Sequence, residues 1–104
     1  MLVAFSVAPS GAAGAGDSVS DAVAEAVRIV RASGLPNRTD SMFTTLEGEW
    51  DECMEVVKDC CDAVGRYGTR VSLVLKADIR PGHTGELTAK IERVERLLGP
   101  TPLG

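Results

Sequence analysis

The chain has 104 residues, of which 44% are hydrophobic and 25% charged, a balance that fits one ordinary folded domain and excludes a disordered or fibrous chain. Eleven Lys and Arg against fifteen Asp and Glu leave a net charge of −4. That sign opposes a polyphosphate, and 4% aromatic residues give few platforms for stacking bases, so no nucleic-acid partner is expected.

The run Met1-Leu2-Val3-Ala4-Phe5-Ser6-Val7-Ala8 mixes β-branched, aromatic and small residues and predicts a strand over Leu2–Val7, broken by Pro9-Ser10-Gly11. No Lys or Arg precedes Arg28 and the apolar run ends after about eight residues, so it reads as a strand rather than a secretory signal. No stretch nears the roughly 18 apolar residues of a membrane span, so no membrane association is expected and the cytoplasm is the expected compartment. Gly11 to Gly16 reads as a Gly/Ala loop. Ser18 followed by Asp21 predicts a helix start, and Val19, Val23, Ala26, Val27 and Val30 recur at helical spacing until Ser33-Gly34 and Pro36.

Asn37 to Glu47, rich in Ser and Thr, predicts two short antiparallel strands or one bent strand. Trp50, Cys53, Met54, Val57, Cys60, Cys61 and Val64 then predict a second amphipathic helix, left through Gly65 and Gly68. Val71 to Ile79 is the clearest strand. Val71, Leu73, Leu75 and Ala77 share the face expected in the core; Ser72, Val74, Lys76 and Asp78 share the other. After Pro81-Gly82, Thr84 predicts the cap of a third helix with Leu87, Ile91, Val94 and Leu98 on its stripe. A single domain over 1–98 and a loose tail over 99–104 are expected.

This order predicts an α+β fold: a ferredoxin-like βαββαβ sandwich with an antiparallel sheet and an additional C-terminal helix. Helices then cover one sheet face. With one Trp, one Tyr and two Phe the chain has little to cover the other, and a bare mixed face is adhesive. Self-association as a homodimer or homotetramer, through sheets or sheet edges, is expected.

Cys53, Cys60 and Cys61 fall on one helix, and seven residues of helical rise, roughly 10 Å, is too far for a disulfide. The only histidine, His83, lies far along the chain, so the thiols are expected reduced and packed, with no metal site and no cofactor. No nucleophile–base pair is recognisable, Gly11, Gly14 and Gly16 have the wrong order for a dinucleotide fingerprint, and no catalytic residue is expected. In Thr44-Thr45-Leu46-Glu47-Gly48-Glu49-Trp50 an acid closes a strand just before a glycine turn into a helix. Glu47 is therefore either solvated or an acceptor for a heterocycle at the sheet edge. Lys76 and Asp78 are either a surface pair or the lining of a pocket on the sheet face. The Ser6 hydroxyl interrupts an apolar strand and needs a partner if buried.

Four segments together resemble the small thiamine-binding proteins: Ser6-Val7-Ala8-Pro9-Ser10-Gly11, Ser18-Val19-Ser20, Glu47-Gly48-Glu49-Trp50-Asp51-Glu52 and Lys76-Ala77-Asp78-Ile79-Arg80. The likeness runs over about residues 2 to 98. It implies the fold above, tetramers built by packing the sheets of dimers, and non-enzymatic binding of thiamine or its hydroxymethylpyrimidine moiety. It implies ligand-binding roles for Ser6, Met42, Thr44, Glu47, Lys76 and Asp78. Phe43 stands where the family commonly has a small residue and would narrow the pocket or stack on a ring. A carboxylate such as Glu47 suits an aminopyrimidine, and Asp78 would offset a thiazolium charge. Two other readings stay open: an enzyme acting on a small heterocycle at the subunit interface with His83 or Glu47 as base, and a structural or regulatory oligomer without a small ligand.

Overall fold

The computed structural model describes residues 1–11 and 18–99. In chain order the elements are β1 (Leu2–Ser10), α1 (Ser18–Ala32), β2 (Asn37–Thr39), β3 (Thr44–Glu47), α2 (Trp50–Val64), a 3-10 turn (Gly65–Tyr67), β4 (Arg70–Asp78) and α3 (Glu86–Leu98). The sheet order is β2-β3-β1-β4 with every neighbouring pair antiparallel. Each helix between strands therefore makes a split βαβ crossover, and the architecture is the expected α+β ferredoxin-like sandwich with a third helix appended.

Period-two alternation along β1 builds the core. Val3, Phe5 and Val7 turn inward beneath the helices and are joined by Leu46 of β3. Helix α1 brings Ala22, Ala26 and Val30; α2 brings Cys53, Val57, Cys60 and Val64. Burying each large side chain contributes about 1.5–3 kcal/mol. Leu2, Ala4, Ser6 and Ala8 point to the opposite face, where β4 sets Asp78, Lys76, Val74 and Ser72 beside them.

Several elements depart from the sequence reading, each for a physical reason. β1 runs through Pro9 to Ser10. The Met1 nitrogen donates to the Gly48 carbonyl (2.8 Å) and the Gly48 amide to the Met1 carbonyl (3.1 Å), so odd-numbered β1 residues aim their backbone groups at β3. Pro9 is odd-numbered, and its missing N–H falls where β3 has already ended. Its pairing with Val71 on the β4 side is undisturbed. Val71 and Leu73 are on the expected inner face but remain exposed, because β4 is an edge strand and overhangs the helix layer. The apolar stripe of α1 splits: Ala22, Ala26 and Val30 are buried while Val19 and Val23 are not. Trp50, at the first position of α2, is 54% exposed and outside the core. Thr84 does not cap α3; Gly85, with φ of +70°, takes that position, and β3 supplies the capping carboxylate. Ser18 is already helical. The cap position before it, the Gly/Ala loop beyond Gly11 and the expected tail beyond Gly99 lie outside the described residues.

Candidate functional site

The cavity follows from a mismatch in strand length. β3 ends at Thr44, which pairs with Phe5, whereas β1 continues five residues further against β4. The alternation that sends Val3 and Phe5 backbone groups to β3 sends the amide and carbonyl of Val7 to the same flank, beyond the last β3 partner. Helix α1 roofs this flank with Val23, Ala26, Val27 and Val30, and the β2–β3 turn closes it from the side. The result is a hollow of about 200 Å³.

The turn is held by the Asp40 amide donating to the Phe43 carbonyl (2.9 Å) and by an Arg38–Asp40 ion pair at 3.4 Å. Below it the Thr39 and Thr44 hydroxyls share a hydrogen bond of 3.2 Å across the two strands. Met42 and Phe43 stand at the mouth, and Phe43 keeps 37% of its surface exposed although it is aromatic. An apolar floor, a ring and a thioether, the hydroxyl residues Thr39, Ser41 and Thr44, one carboxylate and a strand edge beyond β3 give the hollow a shape and polarity that suit one flat ring with hydrogen-bonding edges.

The seven sequence-predicted binding residues do not form one constellation. Ser6, Met42, Phe43 and Thr44 all line this hollow. Ser6 borders it at the strand edge; its register opposite Val74 sends the hydroxyl to the face away from α1. Glu47 sits at the other end of β3, and its carboxylate is engaged. One oxygen accepts the Glu86 amide at 3.0 Å and the other the Leu87 amide at 3.3 Å, which caps α3 and leaves Glu47 only 8% exposed. A separate hollow of about 460 Å³ opens beside it, walled by Leu35, Pro36, Gly48 and Leu87. Lys76 and Asp78 are exposed on β4, beside Ala4 and Leu2. The sequence reading missed Thr39 and Asp40, which enter only through hairpin geometry, and the wall role of Val23 and Val27, whose signal was the α1 stripe being wider than a core needs.

The cysteines are packed as expected. Cys60 is fully buried with its Sγ donating to the Ala26 carbonyl at 3.5 Å, and burial pushes its thiol up to about 12. Burial also raises Cys53 and Cys61, and all three are free thiols. Among the described residues no group of His, Cys, Asp and Glu is arranged to hold a metal ion, and no helix is long and apolar enough to cross a membrane. His83 lies in the turn after β4 with Nδ1 at 3.6 Å from Glu86.

Comparison with known proteins places the chain. The family model described as thiamine-binding protein matches residues 3–95. The UPF0045 protein Mb1933 of Mycobacterium bovis is 52% identical over 99 residues, covering 94% of each chain. The UPF0045 protein MJ1052 of Methanocaldococcus jannaschii is 31% identical over 84 residues, covering 81% of this chain and 84% of its own. Among solved structures, the Bacillus cereus domain of unknown function DUF77 superposes with a TM-score of 0.77 at 30% identity, covering 88% of this chain and 86% of that one. Fold, residue pattern and family model agree: the chain belongs to the thiamine-binding protein family.

Proposed function

We propose that the protein binds thiamine, or its hydroxymethylpyrimidine half, without transforming it, as a cytoplasmic homo-oligomer. The observation that carries this reading is the hollow beside Val7, where an aromatic rim meets an open strand edge. An aminopyrimidine presents an amino donor next to a ring-nitrogen acceptor, the complement of the carbonyl and amide of one strand residue. Phe43 and Met42 supply contact for the ring faces. Thr44, Thr39 and Asp40 supply the remaining polar partners. The volume, about 200 Å³, is below the roughly 300 Å³ at which drug-sized ligands are enclosed, and favours the pyrimidine ring inside with any second ring at the mouth.

The same reading assigns Lys76, Asp78 and Val74 to the face that meets a second copy. Among the described residues β4 is an edge strand that exposes Val71, Leu73 and Val74, and such edges invite association.

Calorimetry with thiamine and with free hydroxymethylpyrimidine tests the binding. Saturable heat is expected for both, and Phe43→Ala or Thr44→Val should weaken it by about tenfold each, as losing a ring contact or a hydrogen bond does. At 100 times its dissociation constant the ligand should add about 2.7 kcal/mol to stability. No heat and no thermal shift with either compound would refute the reading.

A further inference from the structure

A third hollow, at the opposite end of β1 from the one beside Val7, has a chemistry the family reading does not use. It measures about 190 Å³ and is lined by Trp50, Ile79 and Met1, by Arg80 and His83, and by one acid, Glu49. Trp50 is the only tryptophan in the chain, and it spends its indole here rather than in the core. Ile79 is likewise exposed. The turn that ends β4 fixes the two bases: the His83 amide donates to the Arg80 carbonyl at 3.1 Å and brings both side chains to the same edge.

The Arg80 charge is only partly answered. Arg80 Nη1 and His83 Nδ1 each lie 3.6 Å from Glu86, too far for a hydrogen bond, and Arg93 approaches the same carboxylate at 3.4 Å. Three bases thus share one acid. The planar guanidinium of Arg80 keeps a fork of N–H donors of the kind that recognises carboxylates and phosphates.

We propose that this hollow binds a small flat molecule carrying an oxyanion, with its ring on the Trp50 indole and its phosphate or carboxylate between Arg80 and His83. The aromatic face provides area, the Arg80 guanidinium provides the sign and the His83 ring a further polar contact; a neutral ring does not use the charge, and a bare anion does not use the aromatic face. The site is independent of the hollow beside Phe43, so its failure and that of the thiamine reading are separable.

Trp50 reports on the site by its own fluorescence. The intact protein is titrated with phenyl phosphate, benzoate, inorganic phosphate and benzyl alcohol. Phenyl phosphate and benzoate are expected to change Trp50 emission saturably below about 10 mM, a weak but specific range. Whichever binds more tightly assigns the oxyanion. Inorganic phosphate, without a ring, should compete only at several-fold higher concentration, and benzyl alcohol should leave emission unchanged. Arg80→Gln and His83→Gln should each weaken phenyl phosphate by about tenfold, the scale of one charge-assisted contact, with the thermal midpoint retained as the check on folding. A linear, non-saturating response, an equal response to benzyl alcohol, or full affinity in the folded double variant would overturn the proposal.

Discussion

Replacing Glu47 by Ala or Gln probes how α3 is attached. The helix presents no buried residue of its own; Ile91, Val94 and Leu98 stay exposed, and Leu87 is the half-buried residue of its stripe that packs on the body. Its first turn is tied to β3 by the two amide bonds to the Glu47 carboxylate, at 3.0 and 3.3 Å. A hydrogen bond to a charged acceptor contributes about 1.5–3 kcal/mol, and losing a helix cap costs about 0.5–2 kcal/mol. The freed amides regain water at the surface, so Glu47→Ala should weaken docking of α3 by about 2 kcal/mol, roughly a thirtyfold shift. Glu47→Gln keeps one acceptor oxygen without the charge and should lose about half as much. Native-state hydrogen exchange measures this directly: amides of Glu86 to Leu98 should exchange about thirtyfold faster, while those of Val3, Phe5 and Val7 keep their protection. Unchanged exchange in α3 would refute the capping argument. Equal acceleration in β1 would show that α3 unfolds only with the core.

Three further outcomes follow from particular contacts. The Cys60 thiol stays neutral in the fold up to about 12, whereas in the unfolded chain it ionises near 9.0. Its contribution is therefore complete below about pH 9 and is lost as pH rises toward about 12, at about 1.4 kcal/mol per unit. Urea midpoints from pH 8 upward should fall less steeply in Cys60→Ala, and equal slopes would contradict the assignment. Gly68→Ala should destabilise by about 1–3 kcal/mol, because an added Cβ would stand 2.6 Å from the Ser10 carbonyl oxygen, a backbone atom that cannot swing aside. Thermal melts check this; an unchanged midpoint would mean that the Ser10–Arg70 end of the β1–β4 ladder is loose. Under the proposed self-association, Val74→Lys, at a position 57% exposed on β4, should convert the assembly to monomers in light scattering. It should change monomer stability by no more than about 0.5 kcal/mol. Monomeric wild-type protein would remove the interface proposal.

The order of elements and the antiparallel ferredoxin-like class were readable in the chain because they rest on local signals: β-branched and aromatic residue types over Leu2–Val7, period two for Val71, Leu73, Leu75 and Ala77, and a period near 3.6 for Cys53, Val57, Cys60 and Val64. The burial of Cys53 and Cys60 on one helix face followed from their spacing. The candidate hollow beside Val7 was readable only in part. Met42, Phe43 and Thr44 lie close in sequence on one hairpin and meet in one hollow, with Ser6 across the strand. Glu47 has the residue type of a ligand acceptor, yet its partners are amides 39 and 40 residues away, a pairing that no local pattern encodes.

By itself, then, the sequence determined what each segment is and which of its faces is apolar, since backbone geometry converts spacing into direction within a few residues. The tertiary structure decided where strand lengths fail to match, and so where a hollow opens beside Val7. It also decided which polar side chains are already satisfied by distant backbone, because those depend on contacts between segments far apart in the chain.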